Sequence, residues 1–365
     1  MLPPLVKAAV SSPDATTKVV QLDPAKAIDA RGWLKVESSA LCGTDIDLYQ
    51  GGLPEPCVMG HHAVGSIVSL DDELAAAWGI SVGDRVALEE YLPCGREDCH
   101  ACTTPGLYRF CPQADLWKGQ RRVGMIPVAE GSGLHGGNAE YMQLSTNTVL
   151  HKLPSDLGSN LAAWTQPLAN AVDWVVNIGG AAAGSTVAIL GPGYHGIAAV
   201  AAAKAIGASR IVVVGRSSAT STGRLAIART MGAETLVNDD ASALSDALSH
   251  FGDFDVIVDT VGLGSPAIEC TARLRKLGRL VLAGLGKTPE ETVNLKTLVR
   301  GAIGIVGVRG RAPKAVSQAI ELLHAGNTGL ELVPSVDVPL EGVSDLFASL
   351  LNRTGPISPH IVIRP

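Results

Sequence analysis

The chain changes rhythm a little before its midpoint. Up to about Leu153, short apolar runs are broken by Gly and Pro, as in Trp33-Leu34-Lys35-Val36, Gly65-Ser66-Ile67-Val68 and Asp84-Arg85-Val86-Ala87-Leu88. Runs of that length between turn residues predict the strands of a β-rich domain with long loops. From about Leu161 the repeat becomes apolar strand, glycine turn, Ala-rich helix. Thr186-Val187-Ala188-Ile189-Leu190 leads into Gly191-Pro192-Gly193-Tyr194-His195-Gly196 and a helix through Ile206. Ile211 to Val214, a helix near Leu225 to Met231, Asp255 to Val258 and Arg279 to Gly284 continue the alternation. Short all-apolar strands between helices predict an α/β fold whose parallel sheet is covered on both faces, the doubly wound arrangement.

At 365 residues the chain is long for one core, which favours two domains. Its 46% hydrophobic and 18% charged residues suit a folded interior, and 41 glycines beside 4% aromatics suit many tight strand-to-helix turns. A net charge of −6 leaves no basic surplus for phosphate backbones, so nucleic acid is not an expected partner. Met1 to Lys7 lacks the build of a signal peptide, and the most apolar stretch, Ile197 to Ala203, is too short to span a bilayer. A cytoplasmic protein with a small-molecule substrate and no membrane partner is the expectation.

The glycine run lies where a dinucleotide needs it, directly after a strand and at the start of a helix. Gly191 permits the tight turn, Gly193 lets the pyrophosphate approach the backbone, and Gly196 lets helix and strand pack closely. Tyr194 and His195 complete the cofactor-binding turn. An acid at the end of the second strand would bind the ribose hydroxyls of NAD, but Gly215 stands there, followed by Arg216, Ser217 and Ser218. Without a carboxylate to repel it, a 2′-phosphate can be held by Arg216 and the hydroxyls, with Arg224 as a further cation. The expectation is NADP, with NAD as the alternative. Leu285, after the Arg279 strand, is assigned to the same site, or with Leu116 and Trp117 to an apolar pocket wall.

Seven cysteines are present, and four of them, Cys94, Cys99, Cys102 and Cys111, fall in one loop. In an intracellular chain this clustering points to metal before disulfide, and four thiolates close a tetrahedral zinc site with no open position. His100 is an alternative donor in that loop. Elsewhere stand Cys42-Gly43-Thr44-Asp45, Gly60-His61-His62-Ala63-Val64-Gly65 and Gln166-Pro167-Leu168-Ala169.

Taken in order, these motifs resemble the zinc-dependent alcohol dehydrogenase family of medium-chain dehydrogenases over nearly the whole chain. The resemblance implies a GroES-like catalytic domain at residues 1–167 and 303–365 and a Rossmann domain at 168–302. It implies a structural zinc on the four cysteines, although the first gap between them holds four residues where the family usually has two. It implies a catalytic zinc on Cys42, His61 and Gln166. The last position usually carries Cys, Asp or Glu, and a neutral amide oxygen binds zinc more weakly. His62, where Glu is common, is the alternative third ligand or a neighbour of the metal, and Glu89 and Glu90 are further candidates. Thr44 aligns with the hydroxyl that relays the substrate proton, and Asp47 lies near the outer relay; Asp45 and Tyr49 are weaker candidates.

The implied activity is NADP(H)-dependent interconversion of an alcohol and a carbonyl by zinc-assisted hydride transfer, in a homodimer or homotetramer. A second reading is an NADPH-dependent reductase of an activated double bond with a weakened or absent catalytic zinc. A third is a cofactor-binding protein without turnover.

Overall fold

The computed structural model describes residues 2–115, 121–286 and 290–365. Leu116 and Trp117 lie outside the described residues. By its internal contacts the chain forms two units. The first comprises Met1–Gln166, Ser335–Pro356 and His360–Pro365; the second comprises Pro167–Pro334 and Ile357–Pro359.

The first unit is built on a seven-stranded sheet. Gly32–Ala40 pairs antiparallel with Ala63–Leu70, with Tyr141–Leu144 and with His360–Arg364. Arg85–Leu88 and Leu150–Lys152 extend the sheet on one side, and Ser335–Pro339 closes the other. Alternation along these strands sends Leu34, Ile67, Val86, Leu88, Met142 and Leu150 into one apolar core. A three-stranded sheet, Thr17–Leu22, Val6–Ser11 and Cys57–Val58, makes a second layer. The strand pair at Lys35 and Gly65 is close enough that a Cβ on Gly65 would lie 2.1 Å from the Lys35 carbonyl oxygen, so only glycine fits.

The second unit carries six parallel strands in the order Glu234–Val237, Arg210–Gly215, Thr186–Leu190, Phe254–Asp259, Leu274–Leu282, Gly304–Gly307. The strand order reverses at Thr186–Leu190, which places a ligand crevice at the carboxyl end of that strand. The α/β doubly wound expectation is met, together with a β-rich companion unit.

The return to the first unit comes later than the sequence suggested. Instead of leaving at Ile303, the chain adds Gly304–Gly307 as the sixth parallel strand and Pro313–Ala325 as a helix, re-entering the first unit only at Ser335. Glycines flank the short Ile305-Val306 core of that strand and hide it from a search for apolar runs.

His360 begins the last strand and is 1% exposed, stacked on Trp164 with ring centroids 4.4 Å apart. Burial, then the nearby Arg364 charge, holds its imidazole down at about 4, against a weaker opposing pull from Asp337. The folded protein therefore takes up this proton less readily than the unfolded chain, whose histidine titrates near 6.5. The resulting penalty is absent above pH 6.5 and grows as pH falls toward 4. Denaturant titrations of the wild type and His360→Phe at pH 7 and pH 5 should show an extra loss of about 2 kcal/mol in the wild type alone. Equal pH dependence in the two proteins would contradict this assignment.

Candidate active site and metal centres

The end of strand Gly32–Ala40 delivers Leu41, whose amide bonds the Ile361 carbonyl, and then Cys42 as the N-cap of the short helix Gly43–Asp47. The Asp45 carboxylate, 2% exposed, accepts the Cys42 backbone N–H at 2.9 Å and meets His61 Nδ1 at 2.9 Å. One buried acid therefore fixes both the loop that carries the thiol and the ring of the first histidine. With Nδ1 engaged by a carboxylate, Nε2 is left to face a cation, the usual arrangement behind a metal-bound imidazole.

His61 and His62 are placed by a crowded approach. Gly60 has φ +94, and a Cβ there would lie 2.3 Å from Ser39 Oγ and 2.4 Å from Asn138 Oδ1. The two imidazoles that follow meet edge-on, centroids 4.4 Å apart. One ligand atom each from Cys42, His61 and His62 lies within 4.8 Å of the others, and all three residues are buried. The chain thus assembles a thiol and two imidazoles, a donor set suited to zinc. Burial disfavours charge on His61, but the Asp45 carboxylate, with help from the Cys42 thiol, outweighs it and lifts the imidazole to about 10. A cation bound there would take the place of that proton.

Gln166 is 1% exposed, and its side-chain N–H donates to the Leu88 carbonyl oxygen. That bond leaves Oε1 as the atom available for other chemistry, and Oε1 has no hydrogen-bond partner among the described residues. Burying such an acceptor costs roughly 1–3 kcal/mol unless something satisfies it. The glutamates raised as alternatives are already engaged. Glu89 accepts from the Tyr108 hydroxyl and lies 2.7 Å from His151 Nε2, and Glu90 pairs with Arg122 at 3.3 Å.

Thr44 is partly exposed, with Oγ1 3.8 Å from Cys42 Sγ. Asp47 is exposed at the end of the short helix and does not join the ligand group, because five residues of helix carry it away from Cys42. Tyr49 is a packing residue: its ring stacks on Phe347 at 4.1 Å and its hydroxyl donates to the Ala15 carbonyl.

The Sγ atoms of Cys94, Cys99, Cys102 and Cys111 form a second cluster, all within 4.8 Å of one another. Cys94 and Cys102 are 3.6 Å apart and Cys99 and Cys111 4.0 Å apart. A tetrahedron with Zn–S of about 2.3 Å has sulfur–sulfur edges of about 3.8 Å, so these separations bracket the zinc value. They are far beyond the ~2 Å of a disulfide. Burial opposes ionisation of Cys111, but the Cys94 and Gln113 backbone N–H groups bring its thiol down to about 7. His100 is exposed, with Nδ1 near Thr104 Oγ1, so it is not among the donors.

In the second unit, Gly191 has φ +103 and a Cβ on Gly196 would lie 1.9 Å from the Gly191 carbonyl oxygen, whereas Gly193 faces open space. Those are the steric conditions of a dinucleotide turn. The helix that follows, Tyr194–Ala205, has no side-chain cap, so its first amides are left for an anion.

Beside this turn is a cavity of about 220 Å³ whose wall includes Gly191, Gly215, Arg216, Ser218, Ser221 and Asp239. Asp239 was not foreseen; its carboxylate accepts the Ser217 backbone N–H at 3.0 Å. Arg224 does not line this cavity. Its Nε donates to the Ile357 carbonyl at 2.8 Å, since the helix Ala219–Thr230 turns it toward that returning segment. Leu285 is 74% exposed, with its backbone packed against Gly262.

A parallel sheet with a dinucleotide turn, a thiol–imidazole group and a four-cysteine loop defines a class, the zinc-binding oxidoreductases. Residues 31–155 match the family described as alcohol dehydrogenase GroES-like domain, and residues 196–325 match that described as zinc-binding dehydrogenase. The chain is 33% identical over 351 residues to "Probable alcohol dehydrogenase adh" of Mycobacterium tuberculosis H37Rv, covering 91% of each protein. It is 28% identical over 333 residues to the sorbitol dehydrogenase of Bacillus subtilis 168, covering 87% of this chain and 86% of the relative. In fold it is similar to a short chain alcohol dehydrogenase from E. coli CFT073 complexed with NADH (TM-score 0.82, 21% identity, all of both chains covered). It is equally similar to a structure from Sinorhizobium meliloti 1021 bound to NADP (TM-score 0.81, 23% identity, all of both chains covered). The chain belongs to the zinc-dependent medium-chain alcohol dehydrogenase family and is an alcohol dehydrogenase-type oxidoreductase.

Asp45→Asn keeps the shape of the side chain but removes the charge that orients His61. Metal held by the Cys42 group should then be lost to a chelator at ten- to a hundredfold lower concentration, with the four-cysteine metal unaffected. Identical chelator curves for wild type and variant would show that Asp45 does not orient a ligand.

Proposed function

We propose that the protein interconverts an alcohol and a carbonyl with NADP(H), using zinc held by Cys42, His61 and His62, with Gln166 Oε1 as an additional neutral donor. The carrying observation is the approach of one thiol and two imidazoles to within 4.8 Å in a buried setting, with Asp45 behind one ring. The same observation disfavours a double-bond reductase without the metal. When bound, zinc supplies positive charge to the substrate oxygen, which gains negative charge as hydride leaves the adjacent carbon.

The remaining work falls to the chain. Thr44 would accept the alcohol proton on its hydroxyl oxygen and release its own proton outward; the nicotinamide, when bound, would supply the hydride acceptor. Partial exposure of Thr44 allows that proton to reach solvent directly, so the outer relay does not need Asp47. Dinucleotide binding rests on the Gly191, Gly193 and Gly196 turn and the uncapped helix end. The four cysteines would hold a second, structural zinc, and its bonds would stabilise a loop that has only a small apolar cluster of its own. Reduced thiols at metal spacing suit a reducing compartment, which supports the cytoplasm as the place of action.

The preference for NADP follows from Gly215 and Arg216 in the cavity wall. The strand end carries no carboxylate side chain, and a permanent guanidinium lines the same space. Asp239 shares that wall, but Ser217 donates to it and the Arg216 charge lies close by; together these hold its carboxyl below the usual range. Arg216→Ala should raise the KM for NADPH at least tenfold with little change for NADH, measured with a panel of primary and secondary alcohols and the matching carbonyls. Equal loss with both cofactors, or preference for NADH in the wild type, would refute the NADP assignment. Absence of turnover across the panel would refute the alcohol–carbonyl reading.

A further inference from the structure

Glu89 directly follows the strand Arg85–Leu88 and is 0% exposed. Strand pairing sets Ala87 opposite His151 and Leu88 opposite Leu150, on the edge strand Leu150–Lys152. Side chains alternate along a strand, so Leu88 and Leu150 enter the apolar core, while Glu89, two residues past Ala87, shares the face of His151. The Glu89 amide continues the pairing by donating to the Val149 carbonyl at 2.9 Å. His151 Nε2 lies 2.7 Å from Glu89 Oε1. A carboxylate offers only acceptors, so that ring nitrogen carries its proton and donates.

The same oxygen accepts from the Tyr108 hydroxyl, which arrives from the four-cysteine loop. Tyr108 opens the short turn Tyr108–Phe110, just before Cys111. Its carbonyl accepts the Cys111 backbone N–H at 2.9 Å. One residue thus grips the last cysteine with its backbone and Glu89 with its side chain. Cys94, at the other end of the loop, donates its N–H to Cys111 Sγ at 3.3 Å. Removing a donor from a buried carboxylate costs far more than breaking a hydrogen bond in water, because the charge is left under-compensated. The loop therefore cannot lift from the sheet without taking a donor from Glu89.

We propose that Glu89 is a positioning residue for the four-cysteine metal. Its buried carboxylate docks the metal loop on the edge of the sheet through Tyr108 and His151, although Glu89 is not among the grouped metal donors. The inference rests on the reading of the four cysteines as metal ligands and is independent of the Cys42 group. Linkage makes the effect reciprocal: metal in the loop stabilises the Glu89 cluster by the same factor by which the cluster strengthens metal binding.

Two measurements test this. Chelator titration of the zinc-loaded protein, with freed thiols counted in parallel, separates the two metals. Zinc leaving this loop frees four thiols, and zinc leaving the Cys42 group frees one. Tyr108→Phe keeps the ring beside Tyr91 and removes only the hydroxyl. It should lower the chelator concentration for the four-thiol step by about tenfold and leave the one-thiol step in place. In a Glu89→Gln background the same change should shift that step by no more than about threefold, because the partner charge is already gone. An unchanged four-thiol step in Tyr108→Phe, or an equal shift of both steps, would overturn the proposal. A wild type with no four-thiol step would instead contradict the metal reading itself, and the proposal with it.

The second measurement needs no variant. Stripping zinc from the loop should speed amide hydrogen exchange at Glu89 and at 149–151, beyond the loop itself. Faster exchange confined to residues 94–111 would overturn the proposal.

Discussion

The buried Asp45 carboxylate is the constraint on which the first unit's site depends. It accepts the Cys42 amide with one oxygen and meets His61 with the other, so the loop carrying Cys42 and the segment carrying His61 share one charge. A carboxylate at 2% exposure is costly unless both oxygens are used. Here both are used by the segments that carry Cys42 and His61. The helix Gly43–Asp47 has only five residues and would not persist alone; capping by Asp45 and the packing of Tyr49 on Phe347 hold it in place.

Around that anchor the site has little charge of its own. One thiol and two imidazoles bring at most a single negative charge to a divalent cation, and Gln166 brings none. Zinc held this way, as proposed, would keep more positive charge for the substrate oxygen than a set with two anionic ligands would. The neighbouring carboxylates do not alter this balance, because Glu89 and Glu90 are engaged by His151, Tyr108 and Arg122. On the proposed reading such a site would trade binding strength for electrophilicity, with Asp45 limiting the loss in strength by holding His61 ready.

Much of this was legible in the sequence, where spacing alone encodes geometry. The strand–glycine–helix order gave the parallel sheet, and Gly191, Gly193 and Gly196 marked the turn, Gly191 by its positive φ and Gly196 by its close approach to the Gly191 carbonyl. Four clustered cysteines implied a tetrahedral site, and their sulfurs lie at zinc distances. Features that depend on side-chain direction were not legible. Arg224 looked available for a phosphate but faces Ile357, some 130 residues away in the chain. Asp239 reaches its cavity from beyond the strand Glu234–Val237, with no local pattern to announce it. Resemblance made Gln166 the first choice of third ligand and His62 the alternative, because it fixes which residue is present and not where its donor atom points.

Zinc counting on purified protein and on two single variants tests the central claim most directly. The arrangement of Cys42, His61 and His62 predicts two zinc ions per chain in the wild type and one in His62→Ala, whereas Gln166→Ala should retain two at saturating zinc and lose one more readily to a chelator. Two ions retained by His62→Ala, or only one in the wild type, would contradict it.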